Sequence, residues 1–207
     1  MLKEDGKMNI GVLSLQGGVV EHLNQIKALG HRGIEVKSEE DFENIDAIIL
    51  PGGESTTMGK LLRITRLMEL LREKIQNGMP VWGTCAGMIL LAKEIENEPV
   101  NHLGVMNIKV RRNAFGTQID SFKTKKVIKK VSNKEIELVF IRAPYVLETG
   151  NDVDVLCEVN DDIVAVRQGN ILATSFHPEL TNDLSFMKYF IEEIVTRHVQ
   201  DLCGHNL

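Results

Sequence analysis

The chain has 207 residues, a formal net charge of −5 and 43% hydrophobic residues, values typical of a single folded domain. A mildly acidic chain lacks the basic surface expected of a nucleic-acid binder, and no segment is apolar over the length that spans a membrane. The three cysteines are widely spaced, which excludes a disulfide framework. Because the start of the sequence has no apolar signal core, the chain is expected to be cytoplasmic.

The first half of the chain alternates short apolar strands with helices. Strands are predicted at residues 9–15, 33–37, 47–50 and 81–84, and helices at 19–29, 61–75 and 86–95. The acidic stretch 38–46 is predicted to be a solvated connection. Strands and helices that alternate with short connections are typical of a parallel sheet with helices on both faces.

The second half is richer in strands. Alternating or continuous apolar patterns predict strands within residues 105–131, 137–141, 153–159, 163–167 and 171–176, followed by a last amphipathic helix around residues 187–194. We therefore predict an α/β fold with a mainly parallel central sheet flanked by helices. The expected division is an N-terminal extension at 1–8, one domain at 9–197 and a C-terminal tail at 198–207.

The segment Gly83-Thr84-Cys85-Ala86-Gly87 has the form of a nucleophile elbow between a strand and a helix. The tight turn exposes the central side chain, and the start of the following helix favours a negative charge on a thiolate. The sequence of the segment is also compatible with a buried cysteine at a glycine-rich turn. A nucleophilic role requires a base elsewhere in the chain.

His177 is the one histidine that directly follows a predicted buried strand, and Glu179 comes two residues later in a His-Pro-Glu sequence. Because ligand sites of α/β sheets lie at the carboxyl ends of the strands, His177 is expected near Cys85. Glu179 could then orient the imidazole as in a catalytic triad. A zinc site made by these three side chains is a less favoured interpretation, since it gives the glycines of the elbow no role.

The segment Leu50-Pro51-Gly52-Gly53-Glu54-Ser55 again ends a strand and opens a helix. One of its glycine amides, together with the amide of Ala86, would form an oxyanion hole. A phosphate-binding turn is the alternative, but the phosphate-loop and dinucleotide-binding motifs are both missing from the sequence.

Taken together, these motifs resemble the class I glutamine amidotransferases and, within them, the glutaminase subunits of pyridoxal 5′-phosphate synthase (the PdxT family). The resembling segments are GVLSLQG with Glu21-His22, LPGGESTT, GTCAG, RRNAFGTQIDSF, FIRAP and SFHPELT. The resemblance implies a flavodoxin-like architecture. Two positions depart from the family pattern: Ser14 stands in place of a glycine, and Tyr145 in place of a more common histidine.

The resemblance implies a glutamine amide hydrolase with Cys85 as nucleophile, His177 as acid and base, and Glu179 as the residue that orients His177. It further implies that glutamine is contacted by Gly52, Gly53, Glu54, Arg112, Ile141 and Arg142. Without the resemblance, a surface ion pair would be the simpler interpretation of both arginines. The oxyanion hole is expected to use Gly53 and Ala86.

The implied partner is the separate synthase subunit (PdxS family), in a large hetero-oligomer with twelve copies of each chain. That partner would take up ammonia, while the glutaminase itself needs no cofactor or metal. Gln16, which follows the first strand, is expected at the same sheet edge and is a candidate for ammonia exit or partner contact. A polar residue satisfying the start of the next helix is an equally simple interpretation.

Two other classes of function remain open at this point. One is a different hydrolase on the same scaffold, such as a γ-glutamyl hydrolase or the glutaminase of another pathway. The other is a regulatory subunit that keeps the fold without catalysis.

Overall fold

We describe residues 6–112 and 121–204 of a computed structural model of the chain. Residues 113–120 of the RRNAFGTQIDSF motif, residues 1–5 of the expected extension and residues 205–207 of the expected tail lie outside the described residues. The strands are β1 (Asn9–Leu13), β2 (Arg32–Val36), β3 (Ala47–Leu50), β4 (Val81–Thr84), β5 (Ala92–Ile95), β6 (Met106–Arg111), β7 (Ser121–Val127), β8 (Glu135–Ile141), β9 (Tyr145–Thr149), β10 (Asp154–Val159), β11 (Asp162–Gln168) and β12 (Ile171–Thr174).

The central sheet has the strand order β2-β1-β3-β4-β12-β11-β9-β6-β5, with β10 paired to β11. The five strands from β2 to β12 are mutually parallel. The strands from β11 to β6 pair antiparallel, and β5 is parallel to β6 at the far edge. A separate antiparallel hairpin is formed by β7 and β8. The predicted α/β class with a mainly parallel central sheet is confirmed.

The helices are α1 (Val19–Ala28), α2 (Ser55–Ile64), α3 (Leu67–Gln76), α4 (Ala86–Leu91), α5 (Ser185–Tyr189) and α6 (Arg197–Gly204), with a π-helical segment, Phe190–Thr196, joining the last two. One core cluster packs α2, α3 and α4 on one face of the sheet. The other packs α1, α5 and the π-helical segment on the opposite face, around the fully buried Trp82. Within the described residues, no helix has the length and apolar character needed to cross a bilayer.

The single helix predicted over residues 61–75 is wrong in one respect, because the structure has two helices there. The chain breaks at Arg66, which takes a left-handed conformation with φ of 62°. In a single helix the apolar residues Leu61, Ile64, Met68, Leu71 and Ile75 would share one buried face. Because of the break, Ile64 is 65% exposed, whereas Met68, Leu71 and Ile75 are buried.

Three further predictions need correction. The helix expected at 86–95 ends at Leu91, and β5 follows it. The connection at 38–46 contains a short 3₁₀ helix, Glu40–Asn44, whose Phe42 is buried. The apolar spacing of Val19, Leu23, Ile26 and Leu29 predicts the buried face of α1, but the buried residues are His22, Gln25 and Ile26, and both leucines are only half-buried. Strand β9 was not predicted, since its sequence mixes polar and apolar residues without a clear period.

Candidate active site

The loops that follow β1, β3, β4 and β12 meet at one edge of the sheet, because these parallel strands all end there. They bring Gln16, Gly53, Cys85 and His177 to a common cavity of about 450 Å³. A cavity of this size lies within the usual range for small-molecule sites. It is lined by Gln16, Gly17, Gly53, Glu54, Ser55, Cys85, Ala86, Ile89, Arg112, Ile141, Arg142 and His177.

Cys85 stands between β4 and α4 with φ of 47°, a strained conformation for a residue with a side chain. Its backbone N–H donates to the Thr174 carbonyl at 2.8 Å, which fixes the turn against β12. The flanking glycines are required by packing: a Cβ at Gly87 would collide with the backbone of Leu50. The Cys85 Sγ lies 3.9 Å from the Ile141 carbonyl oxygen, and the residue is 7% exposed.

The His-Pro-Glu sequence forms a turn that directs both side chains towards each other. The backbone N–H of His177 donates to the Val139 carbonyl at 2.8 Å, and Pro178 begins a short 3₁₀ helix, Pro178–Leu180. The His177 Nδ1 and the Glu179 Oε1 are 2.7 Å apart. Because Nδ1 is hydrogen-bonded to Glu179, the other ring nitrogen, Nε2, is the one available to interact with the Cys85 side chain.

His177 and Glu179 stabilise each other's charged form. Burial alone would lower the pKa of His177, but its contacts with Cys85 and Glu179 outweigh burial and raise that pKa to about 10. Burial would raise the pKa of Glu179, but the hydrogen bond with His177, together with the electrostatic interactions with His22 and His177, outweighs burial and lowers it. The geometry therefore favours an imidazolium beside a carboxylate at neutral pH.

The glycine-rich loop after β3 packs closely against these groups. A Cβ at Gly52 would lie 2.9 Å from the His177 Nδ1, so a side chain at this position would displace the imidazole, whereas the Cys85 Cβ, at 3.5 Å, would be in ordinary contact. Gly53 lies on the cavity wall. Gly17, with φ of 97°, brings the loop after β1 against the Gly52 carbonyl, an approach that only glycine permits.

Gln16 bridges two loops. Its side-chain Oε1 accepts a hydrogen bond from the Glu54 backbone N–H at 3.2 Å, and the residue is exposed at the cavity. In the alternative interpretation, Gln16 satisfies the start of the helix that follows it, α1. Its side chain instead bonds Glu54, which is the N-terminal cap of α2.

Glu54 and Arg112 form a charged wall of the cavity. Although partial burial acts against it, hydrogen bonds from Thr57 and Thr56 lower the pKa of Glu54 to about 2, so its carboxylate is ionised. The Arg112 guanidinium lies 3.2 Å from Glu54 and 2.7 Å from Glu98. Arg112 thus makes the ion pairs of the simpler interpretation and also lines the cavity, while its contact with glutamine stays a prediction.

Ile141 and Arg142 approach the cavity from the end of β8. Ile141 is 38% exposed, and Arg142 is exposed with φ of 43°. Two strained residues, Cys85 and Arg142, thus face the same cavity. Strain of this kind is commonly concentrated at functional sites.

Sequence reasoning missed several residues at or behind this cavity. Ser55 and Ile89 line it, and each could have been found from its spacing: Ser55 directly follows Glu54, and Ile89 lies one helical turn after Cys85. His22 was noted only in a resembling motif, yet its Nε2 lies 3.6 Å from the Glu179 Oε2. Over the described residues, no group of three or more His, Cys, Asp or Glu side chains has a geometry that could hold a metal ion.

Comparison with known proteins agrees with these features. Residues 12–196 match the SNO glutamine amidotransferase family. The chain is 66% identical to pyridoxal 5′-phosphate synthase subunit PdxT of Clostridium beijerinckii over 89% of this chain and 97% of that one. It is 55% identical to the protein of the same name from Clostridium acetobutylicum, over 89% of this chain and all of the relative.

Solved structures give a similar result. A crystal structure described as a glutamine amidotransferase is 45% identical, with a TM-score of 0.84 over 88% of this chain and 97% of that one. A putative GMP synthase subunit from Thermoplasma acidophilum, 16% identical, has a TM-score of 0.69 over 96% of this chain and 98% of that one, and it supports the fold alone. The family resemblance inferred from the motifs is confirmed.

Proposed function

This chain belongs to the SNO glutamine amidotransferase family, and we propose that it hydrolyses L-glutamine to L-glutamate and ammonia with Cys85, His177 and Glu179 as a catalytic triad. One observation carries the proposal: the contacts run from Cys85 through His177 to a buried carboxylate, at the wall of a cavity sized for a small ligand. Nucleophile, base and orienting group thus stand in the order that acyl transfer to sulfur requires.

In the first step the Cys85 thiolate attacks the side-chain amide carbon of glutamine. The His177 imidazolium gives its proton to the leaving nitrogen, so that ammonia departs and a γ-glutamyl thioester remains. In the second step neutral His177 takes a proton from water, which attacks the thioester and releases glutamate. Glu179 keeps the imidazole in one orientation and stabilises its charged form.

The tetrahedral intermediates carry a negative charge on oxygen, which we assign to the amides of Gly53 and Ala86. Both residues line the cavity beside Cys85. Ala86 is the first residue of α4, and the N–H groups in the first turn of a helix have no partner within it. Donors aimed at a developing oxyanion are commonly worth a factor of about 10² to 10³ in rate.

The charged wall of the cavity suits an amino-acid substrate. Arg112 and Arg142 supply positive charge for the α-carboxylate of glutamine, and the ionised Glu54 supplies negative charge for its α-ammonium group. The loop of Gly52, Gly53 and Glu54 and the backbone at Ile141 complete the expected contacts.

We further propose that the chain is the glutaminase subunit of a pyridoxal 5′-phosphate synthase. The high identity to two proteins named as subunits of that synthase supports this assignment. The expected partner is a PdxS-type synthase subunit that receives the ammonia and combines it with a pentose phosphate and a triose phosphate. Coupling of this kind is useful because free ammonia at neutral pH would be protonated and lost.

The test is glutamate formation from glutamine by the purified chain, with and without the synthase subunit. We expect hydrolysis that rises with the synthase, and pyridoxal 5′-phosphate formed from glutamine without added ammonium. An acceptor enzyme of another pathway serves as the control and should give neither effect. Failure to form glutamate under all conditions would contradict the proposed activity, and equal stimulation by the control acceptor would contradict the proposed partner.

A further inference from the structure

One face of α1 is directed at the His-Pro-Glu turn. A Cβ at Gly18, just before the helix, would lie 3.2 Å from the Glu179 Oε1. One turn later His22 faces the same carboxylate, and Gln25 donates from Nε2 to the carbonyls of Pro178 at 2.9 Å and Thr181 at 3.1 Å. Residues spaced by four and three positions share one helix face, so α1 contacts the turn through a single stripe.

The two oxygens of the Glu179 carboxylate have different surroundings. Oε1 is bonded to His177, whereas Oε2 is buried and has no hydrogen-bond partner among the described residues. A buried carboxylate oxygen without a donor is costly, because burial removes the water that would otherwise solvate it. The nearest ring nitrogen to Oε2 that the structure gives, apart from His177, is the Nε2 of His22, at 3.6 Å.

His22 is suited to act as a neutral donor. It has no exposed surface, and burial lowers its pKa, with a further lowering by His177 that opposes the raising effects of Glu179 and Glu21. A neutral imidazole carries one N–H, and only the Nε2–H tautomer can donate towards Glu179. The same Nε2 also lies 3.4 Å from the Thr84 Oγ1, so its N–H stands between the hydroxyl and the carboxylate, and the ring makes a T-shaped contact with Trp82.

We propose that His22 is a positioning residue for the reaction: its neutral imidazole donates from Nε2 towards the Oε2 of Glu179 and so fixes the carboxylate in the orientation that bonds His177. This inference rests on the proposed function, since it assigns a partner to the third member of the proposed triad. His22 does not line the cavity, so its effect on glutamine passes through Glu179 and His177.

Two substitutions at His22 distinguish the role of its N–H donor from the packing of its side chain. His22→Met fills a similar volume without a donor, whereas His22→Gln retains an N–H of similar reach. Without the donor, the buried carboxylate binds its proton more readily, so the acid limb of the kcat profile should move to higher pH by about one unit. We expect His22→Met to lower kcat about tenfold with little change in KM, and His22→Gln to recover most of the rate and the wild-type limb.

The matched control is Gln25→Met, on the same helix face and against the same turn. Among the described residues, the hydrogen bonds of the Gln25 side chain go to backbone carbonyls and not to Glu179, so its loss should lower the melting temperature and leave the acid limb where it is. Rates are measured in the complex with the synthase, then divided by the folded fraction. The proposal would be overturned if His22→Met kept both the kcat and the acid limb of the wild type. It would also be overturned if Gln25→Met moved the acid limb as far as His22→Met does.

A measurement on the unaltered protein covers the case in which His22→Met does not fold. In the ¹⁵N-histidine-labelled chain, the signals of His22 are assigned by their disappearance in His22→Gln. We expect the neutral Nε2–H tautomer at neutral pH; the Nδ1–H tautomer or a charged ring would overturn the inference. Because this measurement does not depend on turnover, it separates failure of the His22 contact from failure of the glutaminase assignment, which the wild-type activity decides.

Discussion

The parallel and antiparallel halves of the central sheet contribute different kinds of residue to the cavity. The parallel half supplies Cys85, His177 and Glu179, and the first and last of these are only 7% and 6% exposed. The antiparallel half and its adjoining hairpin supply Arg112, Ile141 and Arg142, which stand on the open rim. Of the groups proposed to react, Cys85 and Glu179 are therefore buried and His177 is half-buried, whereas those proposed to recognise glutamine remain more accessible.

Backbone contacts explain why the buried half can hold its groups so closely. The turn at Cys85 is tied to β12 by one hydrogen bond, and Gly52 packs directly on the His177 ring. On the rim, Arg112 is held by carboxylates that themselves face solvent. Substitutions in the two halves should accordingly separate into effects on kcat and effects on KM.

The largest effect should come from the nucleophile. Cys85→Ala removes the sulfur that would form the thioester, so hydrolysis should fall by about a thousandfold or more while the melting temperature stays near that of the wild type. The measurement is glutamate release, together with labelling by an electrophilic glutamine analogue. Cys157→Ala, at a buried position in β10, is the matched control and should keep both activity and labelling. Full activity in Cys85→Ala would contradict the mechanism.

Glu179→Gln tests the orienting group in the buried half. The amide keeps the shape but loses the charge that stabilises the imidazolium, so kcat should fall by about a hundredfold with KM nearly unchanged. Steady-state kinetics and thermal unfolding are measured side by side. If Glu179 only braces the turn, the variant will instead lose stability and keep its rate per folded molecule.

The pair of His177 and Glu179 predicts how stability and kcat/KM depend on pH. Because the pKa of His177 is raised from 6.5 to about 10, its contribution to stability is fully present below about pH 6.5 and is lost as the pH rises through about 10. The pKa of Glu179 is lowered, so its contribution is present above about pH 4.5 and is lost on acidification. Glu179→Gln should move the alkaline limb of kcat/KM to lower pH, and a limb that stays fixed would contradict the coupling.

Substitution of Arg112 tests the proposed role of the rim in binding glutamine, with the neighbouring Arg111 for comparison. Arg112→Ala should raise KM for glutamine about tenfold with a smaller change in kcat, because it removes a contact made equally before and during the reaction. Arg111 is the matched control: it bonds Glu96 and the Tyr145 hydroxyl and does not line the cavity. Arg111→Ala should leave KM unchanged, and equal values in the two variants would reduce Arg112 to a surface ion pair.

The same contrast explains what could be predicted from the sequence. The apolar runs Ala47–Leu50 and Val81–Thr84 are buried on both sides, so their pattern indicates parallel strands, and the rule that such strands end together brings Cys85 and His177 to one edge. Arg112 and Arg142 carry no comparable signal, and only the family resemblance assigned them. The break at Arg66 has no proline or glycine to mark it, and in the wholly buried α4 the apolar pattern does not indicate where the helix ends.

The smallest effect is expected at Gln16, and it depends on where the synthase subunit binds. Gln16 lies where the loops of the parallel half meet the surface. Its side chain accepts from the Glu54 N–H and lies against Gly53, one of the two residues assigned to the oxyanion hole. If the synthase subunit binds at this loop, its binding would shift the Gly53 amide into its working position and raise the rate of hydrolysis.

Gln16→Ala should therefore reduce the stimulation by the synthase severalfold, with little change in the rate of the isolated chain or in its melting temperature. The measurement is the ratio of glutamate release with and without the synthase, in the wild type and the variant. Arg111→Ala again serves as the control, because it lies outside the cavity, and should keep the full stimulation. An unchanged ratio in Gln16→Ala would leave Gln16 as a structural link between the loops after β1 and β3, with activation arising elsewhere on the surface.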